Sequence, residues 1–234
     1  TTCGDNAAGL SDAHQNTLDC AAVGATATST GADGDGDPVP LGQDALFGRD
    51  ATNNDPDDGD AGFSFRRLDG TGAPLAEGAG GAVCVQDNVT GLVWELKTND
   101  DTWRDGGNTY SWYNGTGVNT GGDPGVQNAG TCVGGNGCDT EQYAADINAL
   151  ALCGFSDWRL PTPAELRSIT HHGRRNPAID LDYFPNTASA PYWTAYTTAH
   201  RIEDAISQDF GFGIIWRDSK ANQERHVRLV RGGQ

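Results

Sequence analysis

The stretch that decides the fold reads Ser156-Asp157-Trp158-Arg159-Leu160-Pro161-Thr162-Pro163-Ala164-Glu165-Leu166, and we call it the capping stretch. Thr162 suits the N-cap position of a helix, and Pro163 suits the first helical position, where its missing N–H costs nothing. Because Glu165 stands three residues after Thr162, its carboxylate can accept a hydrogen bond from the N-cap backbone in a capping box. The stretch therefore predicts a short helix from Pro163 to about His171.

A longer helix is predicted upstream of the capping stretch. It begins at Asp139 or Thr140 and runs to about Leu152. Its apolar face is formed by Tyr143, Ala144, Ile147, Leu150 and Ala151. Alternation, apolar runs and turn residues predict strands at 62–68, 82–86, 91–96, 192–196, 205–210, 213–217 and 226–231. We expect the first three strands to form a sheet against this helix, and the last four to close into one antiparallel sheet.

Three separated motifs resemble the Lcl C-terminal domain family, which comprises secreted bacterial binding domains. They are Val89-Thr90-Gly91-Leu92-Val93-Trp94, the Asp157-to-Leu166 part of the capping stretch, and Val227-Arg228-Leu229-Val230-Arg231-Gly232-Gly233. The resemblance covers about Gly48 to Gln234. A more distant resemblance is to the formylglycine-generating-enzyme type of C-type-lectin-like fold. Together they imply an α+β domain of C-type-lectin-like fold, loop-rich and stapled by disulfides, with two short helices packed on antiparallel sheet.

The composition separates an acidic N-terminal region from the rest of the chain. Residues 1–62 are rich in Gly, Asp, Asn, Ala and Thr and offer few large apolar anchors, so we expect an irregular arm there and the Lcl C-terminal-like domain at 63–234. The net charge of −17 disfavours nucleic-acid binding, which depends on Lys and Arg neutralising phosphates. No apolar run approaches the roughly 20 residues that span a bilayer, so no membrane span is expected.

Six cysteines in an acidic, loop-rich chain predict three disulfides and an oxidising, extracellular compartment. Proximity favours the pairs Cys3–Cys20 and Cys132–Cys138, which leaves Cys84–Cys153. A zinc site is the alternative, but the chain has no Cys-x-x-Cys pair. Because the chain contains no Met and begins at Thr1, we also expect a processed N terminus and a secreted or cell-surface protein.

Two acidic clusters in the N-terminal region are candidates for calcium binding. Their ligands would be Asp33, Asp35 and Asp37 in the first cluster and Asp55, Asp57, Asp58 and Asp60 in the second. Calcium takes six to eight oxygen ligands, and the intervening glycines allow alternate carboxylates to converge. The alternative is a pair of solvated acidic turns, since the first cluster lacks the bidentate Glu of an EF-hand loop.

No pattern of a catalytic site stands out, and we do not expect an enzyme. Formylglycine-generating enzymes use cysteines in their C-terminal part, whereas the last cysteine here is Cys153. Ser156-Asp157 is not part of a Gly-x-Ser-x-Gly motif, and no Gly-rich phosphate loop opens a helix. His171-His172 could bind a metal or transfer protons, but the adjacent Gly173-Arg174-Arg175 favours a polar helix end. Charged groups around the capping stretch are interpreted as structural: Asp157, Arg159, Glu165, Arg228 and Arg231.

The segment 196–223 is the candidate ligand-binding face, because the resemblance implies an exposed, sequence-tolerant surface there. The candidate residues combine aromatic surface with both signs of charge: Tyr196, His200, Arg201, Glu203, Arg217, Asp218, Lys220 and Asn222. Phe210 and Trp216 are expected to fill the core instead.

Two functions remain open from the sequence. One is an extracellular binding module that recognises a glycan or a protein, as an adhesin does. The other is a self-assembling subunit of a surface filament or tubule, in which the N-terminal arm docks on an unpaired sheet edge of a neighbouring copy. The heparin-type binding of the family needs a basic surface, which the acidity of this chain disfavours.

Overall fold

The structure is a computed structural model that describes residues 2–3, 18–19, 58–59 and 62–232. The chain divides into two units, Thr1–Phe65 and Arg66–Gln234. In the first unit, strand β1 (Thr2–Cys3) pairs antiparallel with strand β2 (Leu18–Asp19).

Within residues 62–232 the elements are strands with two α-helices between them. In chain order they are β3 (Phe65–Leu68), β4 (Cys84–Asp87), β5 (Val93–Glu95), β6 (Tyr110–Ser111), α1 (Thr140–Leu150), α2 (Pro163–Ser168), β7 (Pro191–Thr197), β8 (Asp204–Asp209), β9 (Ile214–Ser219), β10 (Glu224–Arg225) and β11 (Val230–Arg231). A single 3-10 turn, Leu152–Gly154, follows α1. The sheets are antiparallel and the helices few, which confirms the predicted α+β class.

Strands β3 to β11 form three sheets, with orders β11-β5-β4-β3, β7-β8-β9 and β10-β6. The prediction that the final strand joins the sheet of β7 to β9 was wrong, because β11 pairs with β5 through Val230 opposite Trp94. On its other side, Val230 exchanges both backbone hydrogen bonds with Arg159 at 3.0 Å. The final strand is therefore held between β5 and the capping stretch.

The capping stretch forms the predicted capping box and also connects the sheets. The Thr162 hydroxyl accepts from the backbone N–H of Glu165 at 3.2 Å, and the Glu165 carboxylate accepts from the backbone N–H of Thr162 at 2.7 Å. The backbone N–H of Ala195 in β7 donates to the Pro161 carbonyl at 2.8 Å. One continuous segment thus contacts β11 through Arg159 and β7 through Pro161.

We expect Thr162→Ala to lower the free energy of unfolding by about 1 kcal/mol, the typical cost of losing an N-cap side chain. The matched control is Thr162→Ser, which keeps the hydroxyl that accepts from Glu165. Urea denaturation of the three proteins measures the difference. Equal midpoints for the Ala and Ser variants would show that the hydroxyl is not what begins α2.

Helix α2 ends at Ser168, earlier than the predicted His171. His171 is only 2% exposed, and its backbone N–H donates to the Ala178 carbonyl at 2.9 Å. The interpretation of His171 as part of a polar helix end was therefore wrong. It is a core position beyond the helix, where its Nδ1 accepts from the backbone N–H of Gly173 at 3.1 Å.

Helix α1 lies over the core with Tyr143 and Ile147 buried, as predicted. Leu150 was predicted to lie on the same face but is 51% exposed. Leu150 is the last residue of the helix, and Ala151 after it adopts a left-handed conformation with φ of 51°. The core beneath α1 draws on both larger sheets and on the capping stretch: Leu68, Cys84, Val93, Tyr110, Trp112, Trp158, Trp193, Ala205, Val227 and Leu229.

Two of the predicted disulfides are present, Cys84–Cys153 and Cys132–Cys138. The first ties β4 to the turn after α1, and the second closes a small loop before α1. The predicted Cys3–Cys20 disulfide lies outside the described residues, since Cys20 is not among them.

Candidate functional site

A group of large apolar side chains lies exposed on β9 and on the turn before it. The exposed fraction is 66% for Phe212, 43% for Ile214, 44% for Ile215 and 47% for Trp216. Arg217, the next residue along β9, is also exposed. We call Phe212 and Ile214 to Arg217 the β9 surface.

The two faces of β9 are exposed at the same time. Side chains alternate between the faces of a strand, so Ile214 and Trp216 share one face while Ile215 and Arg217 share the other. Within residues 62–232, β9 pairs only with β8, so its outer edge is also free of a neighbouring strand. Residues 214–217 of the strand are therefore partly exposed on both faces, and no strand of the described part of the chain pairs with its outer edge.

Asp209 at the end of β8 holds this surface in place. One of its carboxylate oxygens accepts from the Trp216 indole N–H at 3.0 Å, and the other accepts from the backbone N–H of Gly211 at 2.6 Å. Gly213 closes the turn with φ of +72°, a conformation that other residues rarely adopt. The Trp216 ring and the turn that carries Phe212 are thus fixed by one buried carboxylate, so the surface is pre-organised.

Sequence reasoning gave one correct and one wrong prediction for the aromatic residues here. Phe210 is fully buried, as predicted, whereas Trp216 is half exposed rather than part of the core. Ile214 and Ile215 were missed as surface residues, because a short unbroken apolar run usually indicates a buried strand. The only available signal was the charged sequence that follows the run, Arg217-Asp218-Ser219-Lys220.

Six of the eight predicted ligand-binding residues are exposed. Those exposed are Tyr196, His200, Arg201, Glu203, Arg217 and Asn222. Arg201 forms ion pairs with Glu203 at 3.1 Å and with Asp204 at 3.3 Å, at the turn between β7 and β8. A backbone hydrogen bond contributes most to holding the pKa of Glu203 below its usual value. The hydrogen bond that Arg201 donates to the carboxylate lowers this pKa further.

Asp218 is placed inside an ion pair rather than facing solvent. The Arg225 guanidinium donates to both of its carboxylate oxygens at 2.8 and 3.0 Å, and the Ser207 hydroxyl donates at 2.5 Å. Burial raises the pKa of Asp218, but these hydrogen bonds outweigh it and hold the pKa below the usual range. The carboxylate therefore joins β9 to β8 and to β10.

Lys220 is enclosed, with 1% of its surface exposed. Its ammonium group donates to the carbonyls of Thr120 at 3.0 Å and Asp123 at 2.7 Å, and it lies 4.3 Å from the centre of the Trp112 ring. Burial lowers the pKa of Lys220. Its position fixes the 120–123 loop against β9.

The predicted calcium ligands fall almost entirely outside the described residues, which include only Asp58 of the seven. The Asp58 carboxylate accepts from the Ser64 hydroxyl at 2.6 Å. Among the residues that the structure describes, no group of three or more His, Cys, Asp or Glu side chains is placed to hold a metal ion. No helix in the described ranges is long and apolar enough to cross a membrane.

Of the comparisons with known proteins, the one with family models agrees with the motifs in the sequence. A search of curated proteins finds no match, and a search of solved structures finds none either, so the C-type-lectin-like part of the fold stays a prediction. The family model described as the Lcl C-terminal domain matches residues 83–231. That range is more than half of the chain and holds most of the core, both described disulfides and the β9 surface. The chain therefore belongs to the Lcl C-terminal domain family.

Proposed function

We propose that the chain is an extracellular binding module that recognises a protein partner through the β9 surface. The observation that carries the proposal is the exposure of Ile214, Ile215 and Trp216 on both faces of one edge strand. Contiguous apolar groups of this kind on a folded domain mark interaction sites. Each side chain is a little under half exposed, so covering the rest of it would contribute about 1 kcal/mol, and a partner that reaches both faces gains from all three.

The geometry favours a protein over a glycan as the partner at this site. A sugar ring can stack on one aromatic face, whereas β9 offers apolar side chains on both faces and an edge that no strand of the described residues occupies. An extended peptide segment can pair with the edge through its main chain and place alternate side chains on the two faces. The net charge of −17 further favours a segment with basic residues, because opposite charges speed association and disfavour wrong partners.

An extracellular location is part of the same proposal. Two disulfides staple the domain, and disulfides persist in oxidising compartments. Membership of the Lcl C-terminal domain family supports a surface-related role.

The open edge of β9 also supports a second candidate, self-assembly into a filament or tubule. A strand from a neighbouring copy would fit the same edge. The strong negative charge opposes contact between copies unless cations screen it. Light scattering and electron microscopy, with calcium and then with a chelator, test this candidate: ordered polymers would support it, and monodisperse particles in both conditions would contradict it.

We expect Trp216→Ala to abolish most binding while leaving the fold intact. Interface tryptophans commonly contribute about 2 kcal/mol or more, which corresponds to roughly a 30-fold loss of affinity. The test selects peptides from a displayed random 12-residue library on the wild-type protein and measures their dissociation constants by calorimetry. Hydrogen exchange of the β9 amides, with and without peptide, shows whether the peptide pairs with the strand.

The matched control is Leu150→Ala, which removes an equally exposed apolar side chain from α1. The control variant should bind the selected peptides as the wild type does. Peptides that bind Trp216→Ala and wild type equally, or a library that yields no binder, would contradict the proposal.

A further inference from the structure

A cleft of about 550 Å³ opens between α1, the capping stretch and β7, apart from the β9 surface. Its volume lies in the range of small-molecule sites, roughly 300–1,000 Å³. Trp112 and Trp158 line it and are almost completely buried, at 0% and 2% exposure. The capping stretch therefore also forms a wall of a cavity.

Two tyrosines supply the accessible aromatic surface of the cleft. Tyr196 is 41% exposed and stands in the irregular part of β7, where the pairing with β8 shifts between Trp193 and Thr197. Tyr113 is half-buried, and both its backbone N–H and its carbonyl are held by the Thr140 hydroxyl, at 3.0 and 2.7 Å. The backbone of Tyr113 is thus held in place, and both tyrosines supply ring surface on which an apolar ligand face can stack.

The polar groups of the cleft disfavour an anionic ligand. Arg159 binds both carboxylate oxygens of Glu165 at 2.7 and 2.8 Å and also donates to the Gly232 carbonyl at 3.1 Å. Both terminal nitrogens of Arg159 are therefore engaged, and the hydrogen bonds that it donates to Glu165 raise the pKa of its guanidinium. Glu141 adds a second carboxylate to the lining. A sulfated or phosphorylated ligand would meet these two carboxylates, while Arg159, the cation among the lining residues, is already paired with Glu165.

Other polar groups of the cleft can donate and accept hydrogen bonds without charge. Asn119 is exposed in the lining, and its side-chain amide offers both a donor and an acceptor. The Glu141 carboxylate accepts from the backbone N–H of Gly115 and keeps further lone pairs for a ligand hydroxyl. Aromatic rings, an amide and carboxylates together match a ligand that combines apolar C–H faces with neutral hydroxyl groups.

We propose that this cleft binds a short neutral oligosaccharide. The proposal does not depend on the β9 surface, because none of the residues that define that surface lines the cleft. Tyr196 would stack on a sugar face, while Asn119 and Glu141 would bind its hydroxyls. The ligand differs in charge from the heparin-type polysaccharides that the acidity of this chain disfavours.

The test uses saturation-transfer NMR and calorimetry on the full chain with four probes: cellotriose, maltotriose, triacetylchitotriose and a heparin-derived tetrasaccharide. At least one neutral trisaccharide should bind, and the heparin fragment should bind more weakly or not at all. Tyr196→Ala should weaken binding about tenfold or more. Ala144→Phe, which fills the cleft from α1, should do the same.

The matched control for the filling variant is Ala145→Phe, because Ala145 is exposed on the same helix and does not line the cleft. The control and Trp216→Ala should both keep the affinity of the wild type, and thermal melting should show that all four variants are folded. The proposal is overturned if no neutral trisaccharide binds at millimolar concentration or if the heparin fragment binds best. Affinity that survives both Tyr196→Ala and Ala144→Phe would overturn it as well.

Discussion

Glu95→Gln is expected to lower the free energy of unfolding by about 3–5 kcal/mol, the cost of removing one partner from a buried ion pair. Glu95 is completely buried in β5. One carboxylate oxygen accepts from the Lys97 ammonium at 3.4 Å and from the Tyr143 hydroxyl, and the other accepts from the backbone N–H of Leu229 at 3.1 Å. A single carboxylate therefore joins β5, α1 and the chain leading into β11.

The cations around Glu95 explain why its charge matters. Lys97 is buried beside it, and burial lowers the pKa of Lys97 to about 8 against the opposing influence of the carboxylate. The Nε atom of Arg104 lies 3.9 Å from the Glu95 carboxylate oxygen that accepts from Lys97. The buried Arg228 donates to the Glu95 backbone carbonyl at 2.9 Å. With a neutral Gln at this position, these cations would remain in the core without a negative charge beside them.

Urea unfolding at pH 7 measures the effect, with Glu203→Gln as the control. Glu203 also pairs with an arginine, but at the surface, where solvent screening leaves such a pair little effect on stability. The double variant Glu95→Gln/Lys97→Met should recover part of the loss, because it removes one stranded cation together with the carboxylate. If Glu95→Gln costs no more than Glu203→Gln, the carboxylate does not organise the core.

Features that depend on neighbouring residues could be predicted from the sequence. The capping box needs only Thr162, Pro163 and Glu165, so its start was predicted correctly. The same holds for the small loop closed by Cys132–Cys138, whose cysteines are six positions apart. Three motifs sufficed to identify the family, because they lie far apart and follow the expected order.

Features set by distant partners could not be predicted. Glu95 looks like an ordinary exposed strand position, since its partners Tyr143 and Leu229 lie 48 and 134 residues away. Likewise, only the assembled sheet shows that β9 is at an edge, so Trp216 was predicted to be buried. Tyr196 was identified as a candidate binding residue, but the cleft it lines takes shape only when α1, the capping stretch and β7 meet.

Removing the Cys84–Cys153 disulfide by the double substitution Cys84→Ala/Cys153→Ala is expected to lower the free energy of unfolding by about 4 kcal/mol. The cross-link joins cysteines 69 residues apart, and the chain-entropy relation for a loop of this length gives that value. Both cysteines also lie in the hydrophobic core, at 0% and 1% exposure, so the substitution removes packed sulfur atoms as well. Denaturation of the oxidised wild type and the double variant measures the loss.

The second disulfide provides the matched comparison for this loss. The cysteines of Cys132–Cys138 are only six residues apart, for which the same relation gives about 2 kcal/mol. The variant Cys132→Ala/Cys138→Ala should therefore be the more stable of the two double variants. Equal losses would show that the length of the closed loop does not control the contribution of these disulfides. If the two variants differ in the expected order, the Cys84–Cys153 disulfide constrains the unfolded chain over the whole segment between its cysteines. That segment includes Tyr113 and Glu141, which line the cleft.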